Sequence, residues 1–113
     1  MKKSDKKIEN SLRLALKEVC EIALDEVVGF KWLTHLVDYS RFPASLSVVC
    51  VFDTQHDLSS ALGAHKDDYL YRLINDKLSA AGVQLKNIRQ HVRFDTEEAC
   101  EHEHQGKWQV RLK

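Results

Sequence analysis

The sequence of 113 residues contains one proline, four glycines and three cysteines, and it has no excess of charge of either sign. Lysine plus arginine and aspartate plus glutamate each total 17, so the overall charge does not indicate a strongly basic nucleic-acid binder or an acidic-tail protein. The few glycines form no phosphate-binding loop, and no GxSxG or HExxH motif is present. These absences argue against nucleotide-binding loops and the common hydrolase motifs.

Long hydrophobic runs are also missing. No stretch approaches the roughly 20 apolar residues of a membrane-spanning helix. The first seven residues, MKKSDKK, lead into a charged helical pattern without the apolar segment of a signal peptide. Cys20, Cys50 and Cys100 are odd in number, widely separated and outside any CxxC pair, which is typical of reduced, mostly buried thiols. We therefore expect a cytoplasmic protein with no membrane association.

The remaining composition is that of a globular domain. Apolar residues make up 43% of the chain and charged residues 30%, a balance that excludes a disordered or collagen-like chain. The length predicts one domain over residues 1–113 with a single core. Charge is unevenly distributed along it: residues 1–17 carry six cationic side chains against Asp5 and Glu9, whereas residues 95–103 are acidic.

The first half of the chain predicts a helix followed by two strands. Apolar residues recur every three or four positions over residues 4–27, which indicates an amphipathic helix with Ser4 as its N-cap and Gly29 after its end. Residues 30–39 are ambiguous, because their leucines fit a helical face while their aromatic and β-branched residues favour a strand. Residues 46–52 (LSVVCVF) form the clearest strand, and an extended 30–39 would pair with them as an antiparallel hairpin.

A second amphipathic helix is predicted over residues 58–81. Gly63 and the polar residues after it indicate a break, with Asp67 or Asp68 capping the second part. Gly82 stands where a glycine commonly ends a helix. The segment is therefore predicted to form two consecutive helices whose apolar residues belong to one continuous face.

The last third of the chain predicts a strand at 90–94 and then a short helix that starts after Asp95 and ends at Gly106. Residues 108–112 fit a final edge strand or a last helical turn equally well. The order is therefore α-β-β-α-β with a short C-terminal α or β tail. Two long amphipathic helices must bury their apolar stripes, so we predict an α+β fold, a two-layer sandwich with both helices on one face of a small antiparallel sheet.

The cluster that most resembles a metal site is Cys100-x-His102-x-His104. On a strand all three side chains would share one side, whereas on a helix only Cys100 and His104 would do so. A structural zinc site needs four ligands, often from two spaced pairs, and no second pair is visible. The alternative is a polar, exposed helix that carries one cysteine.

Four carboxylates follow two predicted strands and could bind magnesium for phosphodiester chemistry: Asp53, Asp95, Glu97 and Glu98. No lysine stands at a convincing spacing to complete such a site, and helix capping explains Asp53 and Asp95 more simply. A Cys50–His35 nucleophile pair is also conceivable, but Cys50 lies within Val-Val-Cys-Val-Phe, which is typical of a core residue.

Local positive charge indicates nucleic-acid contact, despite the neutral total. The candidate contacts lie on the first helix and near the third strand: Lys6, Lys7, Arg13, Lys17, Arg89 and Arg93. Trp32, Tyr39 and Phe42 could supply stacking surfaces nearby. The alternatives are an ordinary solvated surface, and a protein contact through an exposed edge strand or the aromatic loop at 39–42.

Three segments carry a resemblance to a known family: the opening MKKSDKKIENSLRLAL, the centre GFKWLTHLVDYSRFPASLSVVCVFDT and the ending VRFDTEEACEHEHQGKW. They resemble a small bacterial family whose members are labelled Fis-like transcriptional regulators. The label implies a DNA-binding helix-turn-helix near the C-terminus and a role in transcriptional regulation. No residue of such a motif is carried over, since the matching part of this chain is acidic.

The sequence therefore predicts a non-enzymatic binding or regulatory module that contacts nucleic acid and folds without a cofactor. Two alternatives remain open at this point. One is a metal-binding protein or metal-dependent hydrolase that uses Cys100, His102 and His104. The other is a module that binds a protein partner or associates with itself.

Overall fold

The computed structural model describes residues 2–113, which form five α-helices and three β-strands. In chain order they are α1 (Lys3–Glu26), β1 (Phe30–Leu36), β2 (Ser47–Phe52), α2 (Gln55–Gly63), α3 (Lys66–Ala80), β3 (Val92–Thr96), α4 (Glu97–His104) and α5 (Trp108–Arg111). Short 3-10 turns at Tyr39–Arg41 and Ile88–His91 precede β2 and β3. The predicted α+β class is confirmed, and the tail that the sequence left open is a helix.

The predicted hairpin is confirmed as well. Strand β1 pairs with β2 in antiparallel fashion, with Leu33 opposite Cys50 and Thr34 opposite Val49. The ambiguous segment is therefore extended over Phe30–Leu36. Its aromatic and β-branched side chains fit a pleated surface that is partly buried on both faces.

One part of the fold prediction needs correction, because the sheet is mixed rather than antiparallel throughout. The strand order is β1-β2-β3, and β3 runs parallel to β2 with Cys50 opposite Phe94. Between these strands the chain returns through α2 and α3, and a helical crossover brings the next strand back in the same direction. A pattern of apolar residues within β3 does not reveal that direction.

The core lies between one face of the sheet and helices α1 and α3. The apolar stripe of α1 is buried there, including Leu12, Leu16 and Val19. Alternate residues of β2, namely Val48 and Cys50 together with Phe52, belong to the same cluster of buried side chains. This arrangement confirms that both long amphipathic helices cover one face of the sheet.

The Asp-Thr pairs at the ends of β2 and β3 were predicted to cap the helices that follow, and the threonine of each pair supplies the cap. The Thr54 hydroxyl accepts a hydrogen bond from the Asp57 amide at the start of α2, and the Thr96 hydroxyl accepts one from the Ala99 amide at the start of α4. Asp53 and Asp95 are therefore not the caps. Each aspartate lies one residue before the N-cap position. Only a side chain at the N-cap position can accept a hydrogen bond from the backbone amide of the third helical residue.

Two further cap predictions are wrong, because the predicted residues lie inside the first turns of their helices. Helix α1 begins one residue before Ser4, so its N-cap is Lys2, which makes no side-chain cap bond. Asp67 and Asp68 lie within the first turn of α3 and do not precede it. There they lie beside the positive end of the helix dipole without capping it.

The prediction that Gly29 and Gly82 follow the ends of helices is confirmed. Gly29 follows α1 with φ of 87°, and Gly82 follows α3 with φ of 85°. At Gly29 a Cβ atom would also lie 2.5 Å from Cβ of Asp57. The turn from α1 into β1 therefore requires glycine on two counts, backbone conformation and space.

The second face of the sheet is covered at one end by the C-terminal segment. The Trp108 ring on α5 packs edge-on against the Trp32 ring on β1, with 4.9 Å between centroids. Val49 and Val51, the β2 residues that point to this face, are buried. Among residues 2–113, no helix is both long and apolar enough to cross a membrane.

Candidate functional site

The strongest concentration of unpaired positive charge lies on the solvent side of α1. Five exposed cations share an arc of about 120° around the helix, at 100° per residue, over a length of about 21 Å. They are Lys3, Lys6, Lys7, Arg13 and Lys17, and we call them the basic stripe. They lie on this side because the apolar residues of α1 occupy the opposite side of the helix, which is buried in the core.

No carboxylate within residues 2–113 lies within 4.0 Å of any side-chain nitrogen of the basic stripe. Glu9, which lies in the same part of α1, contacts His35 on β1 instead, with 3.1 Å between Glu9 Oε1 and His35 Nε2. Glu18 contacts Lys77 on α3, and neither Glu18 nor Asp5, the acids adjacent to Lys17 and Lys6 in the sequence, forms an ion pair with the basic stripe. Its positive charge remains available to an anionic ligand.

The basic stripe borders a groove between α1 and β1. The groove has a volume of about 770 Å³, and Arg13 and Lys17 line it on the helix side. Leu33, Thr34 and His35 line it on the strand side. No aspartate or glutamate is among its lining residues, so the electrostatic character of the groove is positive.

The structure does not bring all six predicted nucleic-acid contacts together. Lys6, Arg13 and Lys17 lie along one side of α1, and Lys7 lies at its margin, beside a small groove that Phe42 also lines. Arg89 lies elsewhere: its guanidinium forms an ion pair with Asp68 and stacks 4.6 Å from the centroid of the Tyr71 ring.

Arg93 is also separate from the basic stripe. It is exposed on β3, at the opposite edge of the sheet from β1 and on the face away from α1. Sequence proximity to Arg89 suggested one surface near the third strand, but alternation along the strand and the preceding turn direct the two side chains differently. The candidate interface is therefore restricted to α1.

The proposed metal ligands do not converge. Cys100 is fully buried on α4, and burial raises the pKa of its thiol, an effect that the Arg111 guanidinium partly opposes. His102 is exposed, and His104 Nδ1 accepts a hydrogen bond from Arg111 at 3.2 Å. Within residues 2–113, no group of three cysteine, histidine or carboxylate side chains is arranged to hold a metal ion.

The carboxylates at the strand ends have structural partners. Glu98 Oε1 accepts a hydrogen bond from the Gln55 amide at the start of α2, at 2.9 Å. Glu97 Oε1 accepts hydrogen bonds from the indole nitrogens of Trp32 and Trp108. Of the four predicted acids, Asp53 alone is exposed at the end of β2 without such a contact in residues 2–113.

The Cys50–His35 pair is not a nucleophile and base. Cys50 is fully buried on β2, where burial raises the pKa of its thiol to about 12. His35 lies opposite Val48 and contacts Glu9. The interpretation of Cys50 as a core residue is confirmed.

A charged cluster on the second face of the sheet was not predicted. Arg111 on α5 binds Asp95 through two hydrogen bonds and also donates to Glu103 Oε2 and to the Ala99 carbonyl oxygen. Together with Trp108 and Glu97 it anchors α5 to β1, β3 and α4. The only sequence signal was the pairing of acidic residues at 95–103 with basic residues just after them.

Comparison of the chain with protein-family models, with curated proteins and with solved structures finds no match. The basic stripe and the groove beside it are therefore interpreted from their own geometry and charge.

Proposed function

We propose that this protein is a non-enzymatic nucleic-acid-binding module whose basic stripe on α1 contacts the phosphate backbone. The observation that carries the proposal is the absence of any carboxylate partner, within residues 2–113, for five cations on one side of a single helix. Cations without partners are the groups that release condensed counterions when they bind phosphates. Such contacts position a protein on a nucleic acid without reading its sequence.

The surroundings of the candidate nucleophile, carboxylates and metal ligands support the non-enzymatic part of the proposal. Cys50 is buried with its thiol protonated, and Glu97 and Glu98 accept hydrogen bonds that hold the fold together. Cys100 has no neighbouring set of ligands in residues 2–113. Cys50, Glu97 and Glu98 therefore have structural roles that account for their presence.

The resemblance to Fis-like regulators supports a regulatory role on DNA, and it implies contact through the C-terminus. We assign the contact to α1 instead. Four of the eight residues of α4 are glutamates, which repel phosphates, and α5 has only four residues. The cysteines at 20, 50 and 100 are all free thiols, which is consistent with the cytoplasmic location that this role needs.

Fluorescence anisotropy with mixed-sequence duplex and single-stranded oligonucleotides over a range of salt concentrations tests this function. Five phosphate contacts predict a slope of log Kobs against log salt of up to about −3.5 to −4.5, at about 0.7–0.9 per contact. The variant Lys6→Glu/Lys7→Glu should bind more weakly and reduce the slope by about 1.4–1.8.

The matched control is Lys86→Glu/Lys113→Glu, which changes the net charge equally at two exposed lysines outside α1. This variant should keep most of the affinity and the wild-type slope. Equal losses for both double variants would attribute binding to net charge alone and would contradict the assignment to α1. No salt-dependent binding by the wild-type protein would overturn the function itself.

A further inference from the structure

A second feature of α1 concerns the apolar residues on its exposed side. Leu14 is 67% exposed and Leu24 is 53% exposed, and Val28, just beyond the end of the helix, is 88% exposed. These are three of the six large apolar side chains that are most exposed in residues 2–113. Leu14 and Leu24 lie about 15 Å apart along α1, on the side of the helix opposite the core.

Four exposed residues of α1, two of them leucines and two of them charged, follow the spacing of a heptad. Leu14, Lys17, Glu21 and Leu24 are separated by three, four and three residues, and all four are exposed. Spacing of this kind aligns side chains along one seam of a helix that can pack against a neighbouring helix. We call these four residues the α1 seam. It lies on the side of α1 opposite the buried core residues, and two of its members, Leu14 and Lys17, also line the groove between α1 and β1.

The α1 seam is complementary to itself when it is reversed. If two copies of α1 lie antiparallel about a two-fold axis between Lys17 and Glu21, Leu14 of each copy meets Leu24 of the other. Lys17 of each copy then meets Glu21 of the other. Within a single chain the structure does not pair Lys17 with Glu21, although they are one turn apart.

We propose that the α1 seam is the interface of a symmetric homodimer with antiparallel α1 helices. The occupant is a second copy of this chain, because the same four positions supply both the apolar pair and the opposite charges, as a two-fold interface requires. A parallel arrangement would place lysine beside lysine and glutamate beside glutamate, which is unfavourable.

The dimer does not depend on the proposed function, and it takes one cation of the basic stripe, Lys17, into the interface while leaving the first turns of α1 free. In the antiparallel register, residues 12–26 of the two helices overlap, so the first turns of α1 with Lys3, Lys6 and Lys7 extend beyond the overlap. Each dimer would then carry two basic ends on opposite sides. Two linked binding ends increase the affinity for a long polyanion by raising the effective concentration of the second end.

Sedimentation equilibrium of the full-length protein without nucleic acid, from low micromolar to millimolar concentration, tests the interface. The wild-type protein should dimerise. The single variants Lys17→Glu and Glu21→Lys should each raise the dimer dissociation constant by about tenfold or more, because each places like charges across the two-fold axis. The double variant Lys17→Glu/Glu21→Lys should restore the wild-type value, since the charges are exchanged and remain complementary.

A matched apolar control uses exposed leucines on two different helices. Leu24→Ala should weaken the dimer, whereas Leu62→Ala on α2, where the leucine is 42% exposed, should leave it unchanged. A monomer at every concentration would overturn the proposal. So would a dimer that is insensitive to both single charge reversals, or one that the double variant fails to restore. A loss of nucleic-acid binding by Lys17→Glu with no change in mass would assign Lys17 to the basic stripe alone and would also overturn the seam.

Discussion

Arg111 and Asp95 form a two-point ion pair across the second face of the sheet. Arg111 Nε lies 2.6 Å from Asp95 Oδ2, and Arg111 Nη2 lies 2.9 Å from Asp95 Oδ1. Only 16% of the Arg111 side chain and 17% of the Asp95 side chain are exposed, so water cannot easily replace either partner. The carboxylates of Asp95 and Glu103 raise the pKa of the arginine further above its ordinary value, which keeps it charged.

Removing the arginine should therefore destabilise the protein. In Arg111→Ala the Asp95 carboxylate would remain partly buried without its partner, and we expect a loss of about 2–3 kcal/mol in the free energy of unfolding by urea denaturation. Arg89→Ala, which breaks the exposed ion pair with Asp68, is the control and should cost less than about 1 kcal/mol. Similar losses in the two variants would contradict the special role of the Arg111–Asp95 pair.

The two tryptophans should report on the attachment of α5. Trp32 Nε1 and Trp108 Nε1 donate to the same Glu97 oxygen, at 2.7 Å and 3.1 Å. Glu97→Ala leaves both indole groups without that acceptor, so we expect a loss of about 2 kcal/mol and a red shift of tryptophan emission. Glu97→Gln keeps a carbonyl oxygen and should lose less than about 1 kcal/mol, with emission close to wild type. An unshifted spectrum in Glu97→Ala would show that the shared acceptor does not hold α5.

The threonine caps should contribute measurably to stability. Thr96 is fully buried, accepts from the Ala99 amide and also accepts from Gln55 Nε2 at 3.0 Å. Thr96→Ala should therefore cost about 1–2 kcal/mol in the free energy of unfolding, and Thr96→Ser should recover part of it. Ser4→Ala should change stability by less than about 0.5 kcal/mol, because Ser4 is exposed and does not cap α1. The reverse ranking would contradict the observed cap positions.

The three thiols should differ in reactivity. Burial disfavours the thiolate of Cys50 and of Cys100, raising both pKa values, whereas Cys20 is only half-buried beside the groove. At pH 8 a thiol reagent such as DTNB should modify one cysteine in the native protein and three after unfolding. The variant Cys20→Ser should remove the native reaction. Rapid labelling of all three native thiols would contradict the burial of Cys50 and Cys100.

The raised pKa of Cys50 also predicts a pH dependence of stability with a definite sign. The unfolded thiol titrates near 9.0 and the folded thiol at about 12, so the folded state binds the proton more tightly. The stabilisation from this linkage is fully present below about pH 9 and is lost as pH rises toward 12. The free energy of unfolding of the wild type, measured by urea denaturation, should therefore fall more steeply between pH 9 and pH 12 than that of Cys50→Ala. The same pH dependence in both proteins would contradict this assignment.

Part of the candidate site was predictable from local sequence. The cations of α1 could be placed on its polar side because the apolar residues of the same helix fix which side faces the core. Arg89 and Arg93 were grouped with them only by charge. Their separation depends on the Arg89–Asp68 ion pair, which joins residues 21 positions apart, and on the position of β3 at the far edge of the sheet.

By itself the sequence determined the amphipathic α1, the buried strand β2, the helical break after Gly63 and the α+β class, because each follows from periodicity or a turn residue within a short segment. The tertiary structure alone decided the parallel direction of β3 and the position of the C-terminal helix. These depend on contacts between distant residues, such as the Trp32–Glu97 hydrogen bond across 65 positions, and no short-range pattern encodes where the chain will return.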